Sequence, residues 1–135
     1  MSLHGDYIDK RIADFRKQQR WQSYVCGSHD CIIRDYGTCL FTNLVRSTFT
    51  NAYLKKHKCP DCGGSVEQRC HGIDEDRPLL IRRALERIYP DTTKNIQMIE
   101  IVVAFLEEHK TTAFTFKCTA CHKKEPRPNR KKNFN

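Results

Sequence analysis

Two Cys-x-x-Cys pairs constrain this chain more than any other feature of it. Cys59-Pro60-Asp61-Cys62 runs into Gly63-Gly64, and Cys118-Thr119-Ala120-Cys121 runs into His122. Two intervening residues let one short turn present two thiolates to a single tetrahedral ion, and four cysteines in two such pairs are the donor set of a closed structural zinc site. The glycines after the first pair suit the turn, where backbone amides must swing toward the sulfurs without a Cβ in the way. The 55 residues from 63 to 117 separate the pairs, more than a plain ribbon needs, so the spacing predicts a zinc clasp closed around an inserted helical segment. With no open coordination position, such a zinc stabilises rather than catalyses.

The chain of 135 residues fits one domain with a modest core. The expected organisation is a single zinc-stabilised domain over 1–124, followed by a flexible basic tail over 125–135. Within the domain, 1–57 is helical and cysteine-rich, and 58–124 holds the split knuckles with a helical insertion at 77–109. Eight cysteines in so short a chain mean either disulfides or metal-binding and free thiols. The first residues show no basic region followed by an apolar run, and the apolar stretch Ile101 to Leu106 is too short to cross a bilayer. The expectation is a reducing compartment, cytoplasmic or nuclear rather than secreted, with metal ahead of disulfide and no membrane partner.

Periodicity predicts an amphipathic helix over 6–22, with Asp6 as cap and Ile8, Ile12 and Phe15 on one face. Trp21 and Tyr24 are expected to pack on the core. A loop follows, Cys26-Gly27-Ser28-His29-Asp30-Cys31 and then Cys39. Cys26, Cys31 and Cys39 are candidates to join Cys70 in a second zinc site, with His29 or His71 as substitute ligands; buried free cysteines are the alternative. A helix over about 39–56 carries Phe41, Leu44, Val45, Phe49 and Tyr53. Residues 65–70 read as a strand leaving the first knuckle. Asp76 and Pro78 start a helix ending before Pro90, and a largely apolar helix over about 94–109 is the expected core. Residues 111–117 alternate like a strand that delivers Cys118 to the metal. The fold class is therefore α+β: a small, mostly helical domain with a short antiparallel element at the zinc.

The formal net charge is +8, and residues 117–135 hold seven Lys or Arg against one Glu. That concentration points to a polyanionic partner, nucleic acid first. Lys55, Lys56 and Lys58 before the first knuckle, and Lys123, Lys124, Arg127, Arg130, Lys131 and Lys132 after the second, are the candidate phosphate contacts. A solvated basic tail is the competing reading.

Lys58-Cys59-Pro60-Asp61-Cys62-Gly63-Gly64 and Phe116-Lys117-Cys118-Thr119-Ala120-Cys121 resemble the two knuckles of a zinc ribbon or of its treble-clef relatives, many of which handle nucleic acid. With Cys70-His71-Gly72 and Cys121-His122-Lys123 added, residues 57–124 resemble HNH-type nucleases. That resemblance implies His71 as a general base, His122 as a ligand for Mg2+ or Mn2+, and Asn95 in an orienting role. The chain departs from the pattern at Cys70, a soft ligand where those enzymes place an oxygen or nitrogen donor. It departs again at Pro126 and Pro128, which leave little room for a helix after His122. The leading expectation is a zinc-stabilised nucleic-acid-binding protein, an accessory factor in DNA or RNA processing or transcription. An HNH-like endonuclease is the first alternative. A protein-interaction or assembly factor with partners in a larger complex, of a viral kind among others, is the second.

Overall fold

Helix α6 (Met98–Glu108) buries Met98, Ile99 and all of Ile101–Leu106, as expected of a helix that is apolar round most of its circumference. The other elements are arranged about it in this computed structural model, which describes residues 4–72 and 75–124. Arg127, Arg130, Lys131 and Lys132 lie outside the described residues.

The main packing partner of α6 is α5 (Arg77–Ile88), which turns Leu80, Ile81, Ala84 and Leu85 inward. Its ends follow local chemistry: the Asp76 carboxylate accepts from the Leu79 amide at 3.2 Å, Pro78 occupies the first turn, and the helix stops before Pro90. Helix α1 (Gly5–Arg16) lays Ile8, Ile12 and Phe15 against α6. It ends six residues earlier than its periodicity predicts, because Gln18 is extended and a 3-10 turn over Gln19–Gln22 follows. That turn sets the Trp21 ring edge-on to Phe15 at 5.9 Å.

Tyr24 does not join the core and is 65% exposed. It stands on a two-residue strand, β1 (Tyr24–Val25), whose alternation sends one side chain out for each one in. The strand pairs antiparallel with β3 (Ile96–Gln97), Tyr24 opposite Gln97 and Val25 opposite Ile96. The same pairing delays the start of α6 to Met98, four residues later than the apolar pattern implies.

The cysteine- and glycine-rich segment read as a loop is instead helix α2 (His29–Tyr36). Ser28 Oγ caps it by accepting from the Cys31 amide, and Ile32 is buried on the side facing α5. The single helix expected over 39–56 is two, α3 (Leu40–Thr48) and α4 (Asn51–Leu54). Thr50 is extended and its hydroxyl accepts from the Tyr53 amide, restarting the helix after a two-residue break at Phe49 and Thr50. The break drives the Phe49 ring fully inside, among Tyr53, Phe114, Phe116 and His109.

The other half of the fold is a second two-stranded antiparallel ladder, β2 (Gln68–Cys70) with β4 (Thr115–Lys117), in the register Gln68–Lys117, Arg69–Phe116, Cys70–Thr115. It ends in the one-turn helix α7 (Thr119–Lys123). This is a small, mostly helical α+β domain with its antiparallel element beside a four-cysteine cluster. No helix among the described residues is long and apolar enough to cross a membrane.

Candidate metal centre and the histidines beside it

The first knuckle is a tight hairpin closed by a bridge between Lys58 and Ser65. The Gly63 amide donates to the Cys59 carbonyl at 2.8 Å and the Cys59 amide to the Gly64 carbonyl at 2.9 Å. Gly63 takes φ +75°, a left-handed conformation that a side chain would strain. The second knuckle comes from the end of β4. Cys118 is the N-cap of α7, and its Sγ accepts from the Cys121 amide at 3.4 Å. The ladder between β2 and β4 brings the knuckles together, with help from Lys117 Nζ on Asp61 Oδ2 at 3.1 Å.

All four sulfurs of Cys59, Cys62, Cys118 and Cys121 lie within 4.8 Å of one another, and Cys62 Sγ is 3.6 Å from Cys118 Sγ. Tetrahedral zinc with bonds of about 2.3 Å separates its sulfurs by about 3.8 Å. The cluster therefore fits one Zn2+ in geometry as well as in donor type.

Its protonation points the same way. The Cys118 amide, with those of Asp61 and Cys62, aims at the Cys59 sulfur and lowers that thiol to about 6 against the opposing effect of burial. Cys121, hydrogen-bonded first to the Cys118 sulfur, is pushed up to about 12. Four thiolates this close cannot all ionise without a cation between them. A dication removes the conflict, and the amides around Cys59 then satisfy the remaining sulfur lone pairs.

The other expected ligands do not gather. Among the described residues, the four knuckle cysteines are the one group of three or more metal-binding side chains within reach of a shared ion. Cys26 and Cys39 are exposed and Cys31 half-exposed on and around α2. His29 points away from them, its Nε2 donating to the Tyr89 carbonyl at 2.7 Å. Folding residues 29–36 into a helix separates cysteines that a loop would have let converge.

Cys70 instead meets His122: the buried Cys70 sulfur lies 3.2 Å from His122 Nδ1. His71, the next residue along the extended chain, faces the opposite way. Its Nε2 is 3.0 Å from Nε2 of His109, the residue that caps the C-terminus of α6 and is 1% exposed. His109 Nδ1 donates to the Phe105 carbonyl at 2.9 Å. Burial holds His109 neutral, lowering it to about 3, so its Nε2 carries the lone pair. His71 Nε2 must then be the donor, which leaves Nδ1 as the acceptor of the His71 ring. Burial, aided by the Arg77 charge, lowers His71 to about 4.

Asn95 is remote from both rings in topology. It is exposed in the turn before β3, on the β1–β3 ladder rather than on the ladder beside the cysteines. Lys55, Lys56, Lys58, Lys123 and Lys124 are all exposed around the two knuckles. Lys117, counted with the basic tail on charge alone, is instead paired to Asp61. His109 was not identifiable from sequence as a partner of His71, because only the tertiary fold, which sets both rings against Phe114, brings the two together.

No protein-family model, curated protein or solved structure matches the chain.

Proposed function

We propose that this is a zinc-stabilised nucleic-acid-binding protein. The observation that carries the reading is the placement of exposed lysines at both knuckles of the four-cysteine cluster: Lys55, Lys56 and Lys58 lead into Cys59, and Lys123 and Lys124 follow Cys121. The zinc holds these segments at fixed spacing, and lysines held so meet successive phosphates with little sequence preference. Thiolate ligation suits a reducing compartment, cytoplasm or nucleus. The test is the affinity of the zinc-loaded chain for a fluorescent oligonucleotide across a salt series. A linear fall of log affinity with log salt, about 0.7 to 0.9 per neutralised phosphate, supports the reading. Affinity that is absent at low salt sinks it.

A second reading, a metal-dependent endonuclease, is favoured by the two contacts of residues 70 and 71. Cys70 beside His122 puts the residue before the candidate base next to the last histidine, and His109 fixes the tautomer that leaves His71 Nδ1 a lone pair. The chemistry is poorly matched in two respects. A thiol is a soft donor for Mg2+ or Mn2+, and a ring lowered to about 4 is a weak base at neutral pH. Nicking of plasmid DNA with either cation, lost in His71→Ala while binding persists, would favour this reading over binding alone.

A further inference from the structure

A cleft of about 580 Å³ opens between α3, the turn into α4, β2 and the start of α5. Its charge is one-sided. Arg46 of α3, Arg69 of β2 and Arg77 of α5 line it among the described residues, against a single carboxylate, Glu67. Among the described residues, neither Arg46 nor Arg69 has a carboxylate within ion-pair distance. Arg69 is held in place from one side: its Nε donates to the Phe49 carbonyl and its Nη2 to Asn51 Oδ1 at 3.1 Å. Partial burial and the nearby Arg46 charge both weigh against the Arg69 cation. The like charges are thus close enough to repel, and an anion between them would relieve the repulsion.

We propose that this arginine cleft binds a backbone phosphate of a nucleic-acid strand. The proposal rests on the nucleic-acid reading above but uses none of the knuckle lysines. Planar guanidiniums match phosphate oxygens two at a time, and Arg46 and Arg69, brought to one cleft from different elements, suit a group with several oxygens better than a carboxylate. The cleft volume is in the range of sites that hold small ligands, so it has room for a nucleotide unit around the phosphate. Asn51 and His71 supply polar edges on its wall.

The test uses the zinc-loaded full chain with two probes, a fluorescein-labelled single-stranded oligonucleotide and inorganic phosphate, and follows arginine side-chain resonances by NMR. Arg46 is exposed, so Arg46→Gln and Arg46→Glu should melt like the parent. The oligonucleotide is expected to shift the Arg69 Nε resonance. Arg46→Gln should weaken binding about tenfold, the value of one charged hydrogen bond, and lower the salt slope by about one. Replacing Lys55, Lys56 and Lys58 by Gln should weaken binding but leave the Arg69 shift at saturation. Parental binding by both Arg46 variants, with binding abolished in the lysine variant, would reject the cleft and keep the nucleic-acid reading. Phosphate shifting Arg69 while the oligonucleotide fails to bind would overturn both the strand as ligand and that reading, leaving a site for a small phosphate. Silence with both probes would reject everything proposed for the cleft.

Discussion

Cys62 Sγ lies 3.6 Å from Cys118 Sγ, although the two residues are 56 apart in sequence. Between them run β2, α5, β3, α6 and β4, so the sulfur cluster closes a loop that includes the core helix. Without a cation the four sulfurs cannot all be thiolates, so the fastening of that loop depends on an ion such as the zinc the cluster fits. Chelation of zinc, or Cys59→Ser or Cys118→Ser, is expected to abolish the cooperative thermal transition of the domain. Structural zinc sites supply apparent binding energies of about 10–16 kcal/mol. Calorimetry with and without a strong chelator measures this, and an unchanged transition in the zinc-free protein would refute it.

Phe49 is the ring on which the two halves meet. It touches Tyr7 of α1 and His4, Tyr53 of α4, His109 of α6, and Phe114 and Phe116 of the zinc-side ladder. Truncation removes packing from every one of these neighbours. Phe49→Ala should therefore cost about 3–5 kcal/mol. It should lower the stability of both halves together, read as one displaced denaturant midpoint by helix and by aromatic signals. Two separated transitions would show that the halves are not coupled through this ring.

The elements that could be read from sequence are those whose signal is local and long. The knuckles, the Asp76–Pro78 start of α5 and the apolar run of α6 carry enough residues of one pattern to define themselves. Helix α2 had a signal, Ser28 capping Cys31 ahead of Ile32 and Ile33, but neighbouring cysteines and glycines suggested a loop around an ion. The β1–β3 pair had none: two residues per strand give no alternation to detect, and each is extended only because the other is there. At the site, ligand spacing identified the four cysteines. The neighbours of Cys70 and His71 are long-range, set by the tertiary fold, and no spacing rule encodes them. The arginines of the cleft come from three separate elements and share no motif.

Charge at the knuckles separates binding by lysines held at the zinc from binding by the tail alone. Lys55, Lys56 and Lys58 precede one pair of ligands, and Lys123 and Lys124 follow the other. Replacing the first three by Gln should reduce the salt slope of oligonucleotide binding by about three, one for each phosphate left without its lysine. Removing residues 125–135 should leave a measurable slope carried by the five lysines. A tail-less chain with no salt-dependent binding would place the whole affinity in the tail and empty the knuckles of that role.

The His71–His109 pair makes stability fall with acid in a defined window. Folding lowers His71 to about 4 and His109 to about 3, below the ordinary 6.5 of each ring. Above pH 6.5 both rings are neutral in the folded and the unfolded chain, and neither contributes a slope. Below it the unfolded chain takes up protons that the folded chain refuses. Stability therefore drops as pH falls from 6.5 toward 4, by at most about 1.4 kcal/mol per pH unit for each histidine. Carboxylates elsewhere in the chain also titrate toward the acid end of this range. The informative quantity is thus the difference between parent and His109→Gln, in which those contributions cancel. Gln keeps a polar side chain under Phe114 but cannot be protonated, so its stability curve between pH 6.5 and 5 should be flatter by about 1 kcal/mol per unit. Parallel curves for the two proteins in urea titrations would mean that the buried pair is not excluding a proton.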